Sequence, residues 1–184
     1  SFVLSASCAS SKKGAEVGDG RLSDGSYNSL FDQNTQHESK YDGFYNKFDV
    51  TVTFLNTPMQ NAILQKRSDY LIWDLPAAQK ERERMFQENS VQTKFFMSFY
   101  SPSTRVNDLY KGTSIWKVYL ESNGKRYEGK ITKTKTKLEE LQSIFPTHNR
   151  WSLPLEVVFN VPLTGVETGP VTFILSSSQG ATKT

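Results

Sequence analysis

The stretch Phe48-Asp49-Val50-Thr51-Val52-Thr53-Phe54 decides the fold class. Its even positions are apolar, while the odd neighbours Lys47, Asp49, Thr51 and Thr53 are charged or hydroxylated. Successive strand side chains point to opposite faces, so this pattern is a strand with one buried face and one wet face. The same period returns downstream. Val91 to Tyr100 alternates on Val91, Thr93, Phe95, Met97 and Phe99, and Ser114 to Glu121 presents Trp116, Val118 and Leu120. Leu155, Val157, Phe159 and Val161 make another strand, and Val171, Phe173 and Leu175 a last one. Between them, Ser122-Asn123-Gly124-Lys125 supplies the Asn-Gly pair that accepts two positive φ values, which predicts a type I′ hairpin turn. The return strand runs from Arg126 to about Thr132, with Tyr127 and Ile131 on one side.

Helical signals interrupt this pattern twice. Thr57-Pro58 reads as an N-cap with a first-turn proline, opening a helix from about Met59 to Ser68. Leu71, Ile72, Trp73 and Leu75 form a short apolar run ended by Pro76. Gln79 to Phe86 is dense in helix formers, its opposite charges recur at helical spacing, and Met85-Phe86 is the expected docking side. Thr136-Lys137-Leu138-Glu139 resembles a capping box ahead of Leu141 and Ile144. The expected fold is therefore mainly β, an immunoglobulin-like antiparallel β-sandwich. It carries a helical insertion near 58–88 and a short helix near 137–144. A barrel closed by the same strands is the alternative.

Composition bounds the rest. The chain has 184 residues and a net charge of +3, too small and too dispersed for a nucleic-acid binder. No stretch approaches the ~18 apolar residues of a spanning helix. From Ala9 to about Tyr41 the chain is rich in Ser, Gly, Asp, Asn, Gln and Lys without a period, which reads as a tether. Tyr27, Leu30 and Phe31 are the residues within it able to dock on the domain or form a short helix.

One cysteine stands in the whole chain, Cys8, after Phe2-Val3-Leu4-Ser5-Ala6-Ser7 and before the polar Ala9-Ser10-Ser11-Lys12-Lys13-Gly14. Apolar residues, two small residues and then a Cys resemble the lipobox of bacterial lipoproteins. Leu4 lies one position further from the Cys than that family's usual leucine. The resemblance covers about four residues and implies that the Cys8 thiol carries a diacylglycerol. Residues 1–7 are then a signal-peptide remnant, 8–41 a lipid-anchored tether and 42–184 the β-sandwich domain. It further implies a place in the bacterial cell envelope, on the periplasmic or surface face of the outer membrane. The other reading of Cys8 is a free thiol in a polar segment.

Catalytic and metal signatures are sparse. The two histidines, His37 and His148, and one cysteine do not suggest a metal cage or any cofactor. His148, in Pro146-Thr147-His148-Asn149, is expected to face solvent from a loop. No Gly-x-Ser-x-Gly elbow or phosphate loop is present, and the acid pairs Glu139-Glu140 and Asp69/Asp74 read as surface charge. Lys125, Arg126, Lys130, Lys133, Lys135 and Lys137 form a basic stripe on and after the hairpin. It suits contact with a partner or lipid headgroups, or protection of an edge strand. The expected function is a non-enzymatic adaptor or structural role in the envelope. Its partners are the membrane, through the anchor, and another envelope protein, with no nucleic acid. The alternative is a carbohydrate- or peptidoglycan-binding module, or a weak hydrolase, using Trp73, Trp116 or Trp151 as stacking platforms.

Overall fold

The computed structural model describes residues 23–178 and 180–184. Cys8 and the signal-peptide remnant lie outside them. The elements run α1 (Asp24–Gln33), β1 (Thr35–Asp42), β2 (Tyr45–Phe54), α2 (Thr57–Leu71), α3 (Leu75–Asn89) and β3 (Thr93–Tyr100). There follow β4 (Lys117–Ser122), β5 (Lys125–Lys133), α4 (Leu138–Ile144), β6 (Leu153–Phe159), β7 (Val171–Ser177) and β8 (Gly180–Lys183).

All eight strands join one antiparallel sheet in the order β1-β2-β3-β6-β5-β4-β7-β8. The two-sheet sandwich expected from the sequence is replaced by a single sheet that curls until its ends nearly meet. At the seam a Cβ on Gly180 of β8 would lie 3.5 Å from the Lys40 side chain of β1. The expected alternation holds on the inside: Phe48, Val50, Val52, Phe95, Met97, Phe99, Val118, Leu120, Leu155, Val157, Phe159, Phe173 and Leu175 share one core. An eight-stranded closed sheet has an interior just wide enough for side chains to fill. Gly129 leaves room for the Phe159 ring, since a Cβ there would come within 2.5 Å of it. The Asn123-Gly124 turn has φ of 50° and 72°, the two positive values expected.

A second apolar cluster lies outside the barrel. Phe96 points outward from β3 and stacks on Phe145, with ring centroids 3.7 Å apart. Around this pair gather Tyr27 and Phe31 of α1, Met59 and Ala62 of α2, and Leu141 and Ile144 of α4. The Tyr27 hydroxyl donates to the Ile144 carbonyl at 2.6 Å, and its burial pushes the phenol's pKa far up.

Residues 24–42 therefore belong to the domain, unlike the tether expected up to residue 41. Ser23 caps α1 by accepting from the Ser26 amide, and the apolar Tyr27 and Phe31 fall on one face four residues apart. The segment β1 gave no strand signal because none of its side chains is buried. Cap assignments shift as well. Asn56, not Thr57, accepts from the Met59 amide, leaving Thr57 to bind the Glu167 carboxylate through both its amide and its hydroxyl. Pro76 opens α3 behind the cap Asp74 instead of ending an apolar run. Lys137, not Thr136, occupies the cap position of α4, with no side-chain cap bond.

Candidate functional site

The wet face of β2 is the floor of a groove of about 970 Å³. Strand register aligns its rows: Thr51 of β2 lies between His37 of β1 and Ser98 of β3, and Asp49 lies beside Tyr100. One wall is the end of α1, with Phe31 and Asp32. The other is the connection from α4 to β6, with Thr147, Asn149, Trp151 and Ser152.

The floor is hydroxyl-rich and mostly paired within itself. His37 bonds Thr51 through Nδ1 at 3.0 Å and Ser39 through Nε2 at 3.1 Å, and Thr35 bonds Thr53 at 2.9 Å. Asn46 donates to Asp49 Oδ2 at 2.7 Å. Asp49 Oδ1 is enclosed yet has no hydrogen-bond partner among the described residues. A buried acceptor left unpaired costs free energy. Above the floor, Asn149 Oδ1 accepts from the Trp151 amide at 2.9 Å and from the Ser152 hydroxyl at 3.2 Å. That side-chain-stabilised turn holds Trp151 outward, 75% exposed at the groove rim.

The other two tryptophans are not platforms of this kind. Trp116 is buried in the barrel, its Nε1 donating to the Val106 carbonyl, and Trp73 is half-buried at the turn between α2 and α3.

His148 corrects the expectation of a solvent-facing loop residue. It is only 3% exposed, its Nδ1 lies 2.8 Å from Ser98 Oγ, and its ring meets the Phe96 ring edge-on. Burial lowers its pKa, which keeps the imidazole neutral. A Ser–His contact of this length is the first requirement of nucleophilic catalysis, but no carboxylate among the described residues bonds the second ring nitrogen. Ser98 is itself 5% exposed. The pair has the geometry of a buried histidine satisfied by a hydroxyl.

The basic stripe is divided by the fold. Strand β5 sits between β6 and β4, so its lysines guard no edge. Arg126 is bonded to Glu121 at 3.0 and 2.5 Å, and Lys183 adds to the same carboxylate at 3.1 Å. Arg126 first and Lys183 second hold that carboxyl below its usual range. Lys125 is exposed at the turn and Lys130 on β5, and Lys133 reaches over the Tyr110 ring. Lys135 and Lys137 line a different groove together with Arg67, Tyr70 and Leu71. Among the described residues no three His, Cys, Asp or Glu side chains converge on a metal site.

Trp151 is the groove residue that the sequence marked out. The floor residues His37, Asp49 and Thr51 were visible only as the polar half of an alternating strand or as part of a polar segment. Comparison with known proteins finds no match: no family model, no curated protein and no solved structure is similar to this chain.

Proposed function

We propose that the protein is a non-enzymatic adaptor of the bacterial cell envelope that joins a membrane to a glycan. The anchor is acylated Cys8, and the ligand in the groove is a hydroxyl-rich saccharide such as a peptidoglycan strand. One observation carries the glycan half: Trp151 stands exposed at the rim of a groove whose floor is lined by hydroxyls, an imidazole and the Asp49 side chain. Sugars present apolar faces that stack on aromatic rings and hydroxyls that pair with such groups. The groove volume of about 970 Å³ suits a short oligosaccharide. A glycan, the partner of the alternative sequence reading, here takes the place of the second envelope protein.

The test is binding of soluble peptidoglycan fragments followed by calorimetry. Trp151→Ala should weaken binding by about tenfold or more, in the range seen for stacking contacts, and Asp49→Asn by less. Absence of binding to any fragment, or equal binding by Trp151→Ala, overturns the glycan reading. Turnover of a fragment that is lost in Ser98→Ala would overturn the non-enzymatic one. The anchor is tested separately by labelling with a fatty-acid analogue, which should mark the wild type and not Cys8→Ser.

A further inference from the structure

The turn between α2 and α3 is an exposed apolar tip. Ile72 is 88% exposed, Leu75 80%, Tyr70 62% and Leu71 44%, with Trp73 half-buried among them. Neighbouring large apolar side chains displayed at the end of a protruding element mark an interaction site more often than scattered ones do.

The turn is built to hold these side chains outward. Helix α2 closes with the Ile72 and Trp73 amides both directed at the Ser68 carbonyl, and α3 opens on the Asp74 cap at 2.9 Å from the Ala77 amide. Ile72 takes the left-handed conformation, with φ 50° and ψ 52°. That is the conformation in which glycine or asparagine normally ends a helix, and it is strained for a β-branched residue. The local backbone therefore favours a smaller residue, and a large apolar one stands there at full exposure. Such strain points to a use for the side chain. At the base the arm is held by reciprocal amide bonds between Gln60 and Asn89 and by Lys94 bonded to Glu88.

Charge around the tip is balanced. Arg67 pairs with Glu140 at 2.8 Å, and Asp74 is occupied as a cap. Lys135 and Lys137 lie beside Tyr70 and Leu71, with Glu139 and Asp69 also near. Tyr, Trp and Leu flanked by lysines, with little net charge, match the headgroup layer of a bilayer. The position of the chain's front end selects that occupant. Asp24, at the start of α1, lies 3.7 Å from Lys66 of α2. Ile72 follows Lys66 by six residues, about 9 Å along a helix. Cys8 precedes Ser23 by fifteen residues, a span of at most about 50 Å. The described chain thus begins, at Ser23, on the side of α2 that leads to the tip.

We infer that the tip formed by Tyr70, Leu71, Ile72, Trp73 and Leu75 docks in the headgroup layer of the membrane that carries the Cys8 anchor. The tip then fixes the orientation of the domain on that membrane. The choice of a membrane as occupant rests on the anchor reading, and vesicle binding of the Cys8→Ser chain and fatty-acid labelling of the wild type test the two separately.

The experiment uses the full chain with Cys8→Ser, so that no acyl chain contributes, and vesicles of phosphatidylethanolamine and phosphatidylglycerol. This protein should co-sediment with the vesicles, and adding Ile72→Ser with Leu75→Ser should reduce partitioning by about tenfold. Both residues are exposed, so the melting temperature of the variant should be unchanged, which separates lost docking from lost folding. Brominated lipid should quench tryptophan fluorescence, and Trp73→Phe should remove most of that quenching. Failure of the Cys8→Ser chain to sediment, or equal sedimentation of the tip variant, overturns the inference. So does a photo-crosslinker at position 72 that captures a protein in intact cells and no lipid. Failure of fatty-acid labelling on the wild type would remove the anchor alone.

Discussion

Strand β3 and helix α3 are adjacent in the chain and opposite in how they are held. Of the eight residues in β3, Phe95, Met97 and Phe99 fill the barrel while Phe96 and Ser98 are buried against α4 and its following loop. Of the fifteen residues in α3, none is buried. It is kept helical by its cap, by Pro76 and by Arg84 paired with Glu81 and Glu88. Hydrogen bonding to Glu81 raises the Arg84 pKa, and the same bond lowers that of Glu81. Surface pairs of this kind contribute about 0–1 kcal/mol, against about 1.5–3 kcal/mol for one fully buried apolar side chain. The stability of the molecule therefore resides in the barrel and its outer cluster. The arm is an appendage whose sequence is free to serve an external surface.

The largest effect that would break this contrast belongs to the barrel. Phe99→Ala removes a fully buried ring that stacks on Phe48 and meets Trp116 edge-on. A loss of about 3–5 kcal/mol is expected in chemical denaturation; a loss below 1 kcal/mol would mean the barrel interior is not the main core. Gly129→Ala comes next, because its added methyl collides with the Phe159 ring. Overpacking of this sort costs about 1–3 kcal/mol, and a neutral result would show that the interior has slack.

His148 gives a smaller, pH-dependent effect. An unfolded-chain histidine titrates near 6.5, and burial lowers the folded value. Between the two values the unfolded chain binds the extra proton. The stabilising contribution is thus complete above about pH 6.5 and is lost as pH falls through the folded value. Melts from pH 7.5 down to 4.5 should show a steeper decline for wild type than for His148→Gln. Parallel curves would mean that the imidazole is not buried in solution. The smallest effect is expected on the arm, where Phe86 is 76% exposed. Phe86→Ser should move stability by no more than about 0.5 kcal/mol. A larger loss would show that α3 is covered by something on the isolated protein.

Legibility followed the same division. The strands with an alternating core face, the Asn123-Gly124 turn and the helical insertion were all readable, because period and turn chemistry are local properties. The strands β1 and β8 were not, since β1 buries no side chain and β8 is four residues long. The sequence leaves a sandwich and a closed barrel both open, as the two differ only in which strands pair, and the single curled sheet follows the second. In the groove, Trp151 is one of the chain's three tryptophans, and only packing separates it from the buried Trp116 and the half-buried Trp73. The burial of His148 is not legible, because Pro-Thr-His-Asn reads as a loop and a loop sequence does not reveal that Phe96 and Ser98 lie beneath it.

The sequence by itself determined that the chain is mainly β, where the strands with an alternating apolar face and the helices α2 to α4 lie, and that Asn-Gly turns the central hairpin. Each of these follows from residues within a few positions of one another. Tertiary structure alone decided that β1 and β8 bring the sheet's ends together and that Tyr27 and Phe31 bind the front segment to the domain. It also decided that the lysines of the basic stripe scatter to separate faces. Those outcomes depend on which distant surfaces exclude water together, and no local pattern encodes that.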